Sequence, residues 1–189
     1  MWLPCQTDPP SLYSPSGSAY PSTFPAIHFS MSQLIYVETS IPSFYYETRT
    51  SVQLQARREW TQEWWEFARW RDALVISPVV IAELEETPDP AKRKQMPDLI
   101  ADLPRLAYAD EIDSIVEAYF ARKLMPLDSG GDAHHPARAS FHRCDILITW
   151  NCKHLANGNK TGHIHLINNT LGLHTPQLIT PLELLEFAP

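Results

Sequence analysis

LIYVETSIPSFY, residues 34–45, is the stretch from which the fold is read. Its first five residues are an apolar, β-branched run that ends in polar Thr39–Ser40 and then Pro42, as a buried strand passing into a loop does. Further on, residues 52–71 contain no Gly or Pro and set Leu54, Trp60, Trp64, Phe67 and Ala68 on one helical face, with Trp65 and Trp70 off it. ALVIS (73–77) reads as a second strand. Pro78 and the helical VVIAELEE follow, and proline suits a first turn because its missing N–H would have no partner there. Residues 91–103 and 110–124 read as two more helices, the second with the apolar stripe Ile112, Ile115, Val116 and Tyr119. After the turn DSGGD (128–132) come a helical stretch ending near His142, the strand DILIT (145–149), a short apolar run HLI (165–167) and a helical PLELLEF (181–187). Strands alternating with helices predict an α/β fold, with parallel strands and helices on both faces.

Before residue 31 the chain is a different material. Residues 1–30 hold six of the 17 prolines, six serines and one charge, Asp8, with neither helical nor strand periodicity. That composition predicts a disordered extension at 1–30 and an ordered domain over 31–189, with Met31 a candidate true start. The basic start of a signal peptide and the arginines of a transit peptide are missing from it, since the first Arg is Arg49. The whole chain, at 189 residues, 44% hydrophobic and 20% charged, is sized for one ordinary domain. Its net charge of −7 argues against binding nucleic acid by bulk electrostatics alone, but leaves room for a nuclease whose metal ions supply positive charge. Three cysteines do not make a disulfide framework, so a reducing, cytoplasmic setting is expected. No apolar run approaches the roughly 20 residues of a bilayer span, and no membrane is expected among the partners.

In an open parallel sheet, sites form where loops leave the carboxyl ends of strands. Glu38 ends the first strand, Glu83 lies early in the helix after the second, Asp132 opens a later helix, Asp145 begins the strand DILIT, and Asn151 follows that strand. A carboxylate at a buried strand end, as at Glu38, is costly without a partner. Several carboxylates held together repel one another unless a cation lies among them, and hard oxygen ligands suit Mg²⁺ or Mn²⁺. Such a cluster can activate water against a phosphodiester.

IYVETSIPSFY, the VIAELEE helix start, GDAHH and CDILITWNCKHLAN, in that order, resemble the PIN domain, and more narrowly the VapC-like toxins of bacterial toxin–antitoxin modules. The resemblance runs from about Gln33 to Phe187. It implies a three-layer α/β/α sandwich around a parallel sheet and a ribonuclease that cuts RNA with Mg²⁺ or Mn²⁺ held by an acidic quartet. In that pattern Glu38 stands in the place of the first acid, Glu83 of the second, Asp132 of the third and Asn151 of the fourth. Glu38, Asp132 and Asn151 would hold metal, with Asp145 joining or supporting them, and Glu83 would complete the site or orient the attacking water. Thr39, Ser40 and Thr149 match the family's small hydroxyl residues and, with Lys153 and Arg138, are candidate substrate contacts. The resemblance also implies a cognate antitoxin partner and a homodimer. This chain departs from the pattern at Glu38 and Asn151, where Asp is usual, and at Pro136, which either removes an early helical hydrogen bond or starts the helix and leaves Asp132 on a loop. Those departures motivate an alternative: a catalytically weakened PIN-fold scaffold that binds RNA or a protein partner.

His134, His135, His142, Cys144, Cys152 and His154 crowd into about twenty residues but lack the ligand spacings of a zinc site, so they read as surface or supporting side chains. The tryptophan-rich helix reads as core, with Trp65 and Trp70 left for an interface. Residues 133–165 carry four bases against one acid, a basic half suited to an RNA backbone.

Overall fold

A computed structural model describes residues 32–124 and 130–186. The extension 1–30, the candidate start Met31, Asp128 and Ser129 of the DSGGD turn, and Phe187 lie outside the described residues, while Gly130 to Asp132 of that turn already belong to a helix.

The apolar run at the head of the domain forms β1 (Leu34–Val37), the centre of the sheet. Around it lie β2 (Ala73–Val75), β3 (Ile146–Ile148) and β4 (Gln177–Ile179), in the order β2-β1-β3-β4 and all parallel. Ile35 pairs with Ile146, Val37 with Ile148, and Ile148 with Ile179. Both faces of β1 and β3 are covered: Ile35, Tyr36, Val37, Ile146, Leu147 and Ile148 are all buried. That is why these strands read as continuous rather than alternating apolar runs. From β1 the chain passes to β2 on one side and later to β3 on the other. The crevice beyond Val37 and Ile148 is therefore the place where strand order reverses, and where such sheets bind ligands.

Eight helices are described: α1 (Ser40–Tyr45), α2 (Val52–Arg71), α3 (Pro78–Glu85), α4 (Pro90–Leu99), α5 (Asp110–Ala121), α6 (Gly130–Phe141), α7 (Gly158–Leu171) and α8 (Pro181–Glu186). One group is built on α2, which packs against α1, α8 and β2; the other on α6, which packs against α5, α3 and β3. The result is the expected α/β/α arrangement around a parallel sheet. No described helix is long and apolar enough to cross a membrane.

Several local expectations are corrected. The polar TSIP segment continues into α1 rather than a loop, because Pro42 falls in the first turn, where its missing N–H costs nothing. HLI lies inside α7: Ile164 and Ile167 are buried one turn apart while Leu166 is 66% exposed, a helical period that a three-residue window hides. β4 comes instead from QLI, too short to stand out in the sequence. Trp65 is buried with Trp64, and Phe67 is 46% exposed, because α1 and α8 both pack on α2 and move its buried face round from the simple stripe. Trp70, 81% exposed, stays outside as expected. Pro136 neither starts nor ends its helix; α6 runs through it from Gly130, which puts Asp132 in the first turn.

Candidate metal centre

Glu38 leaves the sheet immediately after β1, and its N–H donates to the Ile148 carbonyl at 3.2 Å, so it stands at the β1/β3 crevice. One carboxylate oxygen, Oε2, gathers three donors: the Ser40 N–H at 3.0 Å, the Ser40 hydroxyl, and the Thr149 hydroxyl at 2.7 Å. The burial cost of this carboxylate is thus offset by its neighbours, as a buried charge requires. Thr149 Oγ1 also accepts the Asn151 N–H at 2.9 Å, and Ser40 Oγ accepts the Trp150 N–H at 2.8 Å, so the β3 exit and the β1 exit are tied together.

Glu83 comes from α3, whose start at Pro78 follows directly from β2 and points the helix toward the same edge. Its Oε2 accepts from the Thr39 hydroxyl and from His135 Nε2, the latter at 3.1 Å. Burial pushes the Glu83 pKa upward, but the hydrogen bond and charge of His135, the Thr39 hydrogen bond and nearby His134 outweigh it and leave the pKa lowered. His135 is buried on α6, with Nε2 3.8 Å from Glu38 Oε1 and Nδ1 2.9 Å from the Tyr36 hydroxyl, which in turn meets Ser77 Oγ at 2.7 Å. Burial disfavours the charged ring, yet the Glu83 hydrogen bond and the charges of Glu38, Glu83 and Asp132 raise its pKa overall. Glu38, Glu83 and His135 each offer a ligand atom, and these atoms all lie within 4.8 Å of one another. Among the described residues this is the group able to hold a metal ion.

Asp132 flanks the trio from the first turn of α6. Its Oδ1 accepts the Asn151 side-chain N–H at 2.8 Å, while Asn151 Oδ1 caps the next turn by accepting the His154 N–H at 3.0 Å. Burial, and beyond it the charges of Glu38 and Glu83, push the Asp132 pKa up against the pull of His154 and His135. Glu38, Glu83, Asp132 and Asn151 are therefore gathered at one edge.

Other expected site residues lie elsewhere or act otherwise. Asp145 precedes β3 at the opposite end of the sheet, where its Oδ2 accepts the Leu34 N–H at 2.8 Å; a role for it as ligand beside Glu38 is corrected by the parallel register. Thr39, Ser40 and Thr149 spend their hydroxyls on Glu83 and Glu38, which makes them holders of the carboxylates. Arg138 is 5% exposed on α6 and donates to His134 Nδ1 at 2.9 Å, so it does not face a bulk RNA backbone and the basic half is not one open patch. Lys153 is exposed on the turn after Asn151. The zinc-like residues do not assemble: His142 bonds the Ala107 carbonyl at 2.8 Å, and Cys144 is buried, its thiol pushed up to about 12 by burial. His135 alone of that set enters the centre, against the expectation of a peripheral role. The signal that could have found it is its spacing from Asp132: three residues apart on a helix, the two share a face.

No family model matches the chain, and no curated protein matches it in sequence. In three dimensions it is similar to a chain of the crystal structure of VapBC2 from Rickettsia felis bound to a DNA fragment from their promoter. The TM-score is 0.51 and the identity 13%, over 78% of this chain and 98% of that one. At that identity the likeness is one of fold.

Proposed function

We propose that this protein is a divalent-cation-dependent endoribonuclease of the PIN toxin type, cytoplasmic, homodimeric and held in check by a cognate antitoxin. The observation that carries the reading is the convergence of Glu38 and Glu83 with buried His135 in the crevice between β1 and β3. Acidic side chains at such an edge fit Mg²⁺ or Mn²⁺. Glu38 and Glu83, with Asp132 beside them, would hold the cation, which when bound would polarise the phosphodiester and make water more acidic. Ser40 and Thr149 hold Glu38 from behind, and Thr39 holds Glu83, so the carboxylates are aimed before substrate arrives. Lys153, exposed two residues after Asn151, is a candidate contact for a phosphate of the RNA. The likeness to a VapBC2 chain supports the antitoxin partner.

The test uses the full chain freed of metal, incubated with transfer RNA and single-stranded RNA with and without Mn²⁺, beside Asp132→Ala. The reading expects metal-dependent cleavage that falls at least about a hundredfold in the variant. Equal cleavage by a folded Asp132→Ala protein refutes the site assignment.

One observation favours the scaffold reading. Asn151 turns its amide N–H, a donor and not a metal ligand, onto Asp132 at 2.8 Å. On that reading the natural protein does not cut RNA, and Glu38→Asp with Asn151→Asp together creates cleavage.

A further inference from the structure

We propose that His135 is a nitrogen ligand of this centre and that it makes the site selective for Mn²⁺ over Mg²⁺. The inference rests on the nuclease reading only in taking the crevice to hold a cation. Three features carry it. The ring is buried and clamped: Tyr36 meets Nδ1 at 2.9 Å, and Ser77 meets the Tyr36 hydroxyl at 2.7 Å. Its other nitrogen, Nε2, is aimed at both carboxylates, 3.1 Å from Glu83 Oε2 and 3.8 Å from Glu38 Oε1. Those spacings suit donors around one ion, since two ligand atoms each about 2.1 Å from a metal lie about 3.0 Å apart at an octahedral angle and about 3.4 Å at a tetrahedral one.

The hydrogen-bond chain behind the ring sets which nitrogen is free. Tyr36 is buried and stays a phenol, able to give its hydrogen to Ser77 and accept one from Nδ1. Without a cation, Nε2 gives a hydrogen to Glu83 Oε2; a cation entering the trio would displace that proton to solvent, and the hydrogen kept on Nδ1 and accepted by Tyr36 would leave the Nε2 lone pair for the ion. A ligating histidine oriented through its other nitrogen is the common arrangement of such sites. Imidazole nitrogen favours transition metals, whereas Mg²⁺ takes oxygen and keeps its waters. Were His135 only an ion-pair partner of Glu83, the cation would meet oxygen ligands alone and the preference would vanish.

The experiment uses the full chain stripped of metal. Mn²⁺ and Mg²⁺ are titrated separately by calorimetry, and the Mn²⁺ form is read by electron spin-echo modulation for a directly coordinated ¹⁴N. The proposal expects a single site that binds Mn²⁺ at least about tenfold more tightly than Mg²⁺, with imidazole ¹⁴N modulation in the spectrum. His135→Gln should lose the modulation and bring the two affinities within about threefold of each other. Tyr36→Phe should keep the modulation but weaken Mn²⁺ about tenfold. Mn²⁺ bound without ¹⁴N modulation, modulation that persists in His135→Gln, or no cation bound at all would each overturn the assignment. The wild-type spectrum decides the matter even where His135→Gln does not fold. RNA cleavage with equal Mg²⁺ and Mn²⁺ support and no ¹⁴N modulation defeats this proposal and leaves the nuclease standing. A nitrogen-ligated Mn²⁺ without cleavage of any RNA does the reverse.

Discussion

Thr149→Val removes one oxygen from the wall of the centre and changes little else in shape. Thr149 is fully buried; its hydroxyl donates to Glu38 Oε2 at 2.7 Å and accepts the Asn151 N–H at 2.9 Å. A hydrogen bond to a buried charge contributes about 1.5–3 kcal/mol, and its loss also leaves the Asn151 N–H without that acceptor. The methyl that replaces the hydroxyl recovers less than about 1 kcal/mol through apolar burial. The net expectation is a loss of about 2 kcal/mol, or a melting temperature lowered by about 4–8 °C for a domain of this size. Urea unfolding by circular dichroism reads it, with the midpoint shifted and the slope unchanged. With Glu38 released from one of its three donors, cation affinity should fall as well. A stability change below about 0.5 kcal/mol would show that the hydroxyl is not supporting a charged Glu38, and the account of how the carboxylate is aimed would be wrong.

Further expectations follow from the same contacts. Asp145→Ala should leave RNA cleavage within about twofold of wild type, because Asp145 caps Leu34 at the far end of the sheet; a large loss would return it to the site. Saturating Mn²⁺, at about a hundred times its dissociation constant, should add about 2.7 kcal/mol to stability, removed by chelator and absent in Glu83→Gln, as thermal melts would show. Glu47 is buried beside buried Lys92 at 3.1 Å, with exposed Arg49 at 2.7 Å, and the Arg49 hydrogen bonds, then those of Lys92, hold its carboxyl well below the ordinary 4.5. Its stabilisation is therefore complete above about pH 4.5 and is lost as the pH falls through the lower native value. Glu47→Gln should cost roughly 3 kcal/mol at pH 7 and flatten the acid dependence below pH 4.5, measured by urea melts across pH; unchanged acid dependence would contradict the pairing.

Much of this molecule was legible from residue pattern. Helix 52–71 was readable to the residue because twenty positions without Gly or Pro leave few alternatives. The strands 34–38 and 145–149 stood out because both faces of a central parallel strand are covered, which makes them apolar throughout. Glu38, Glu83, Asp132 and Asn151 could be named because carboxylates and amides next to strand ends and helix starts are conspicuous in a chain. Short β4 and the helical identity of HLI were not legible, since three residues do not carry a period. Trp65 was misplaced because one helix seen alone has one buried stripe, while α2 is packed by both α1 and α8.

What the sequence by itself determined was the class of fold, the edge of the sheet that carries the acids, and the residue types available there. Only the tertiary structure decided which of them meet. Parallel register sends Asp145 to the end of the sheet opposite Glu38, though both border apolar strands. The same register brings β3's exit beside β1's, so Thr149 and Ser40 close on one oxygen of Glu38. And α6, running unbroken through Pro136, turns His135 inward between Glu38 and Glu83 with Tyr36 behind it. Contacts between residues some 50 to 110 positions apart depend on strand order and helix rotation, which side-chain pattern along the chain does not encode.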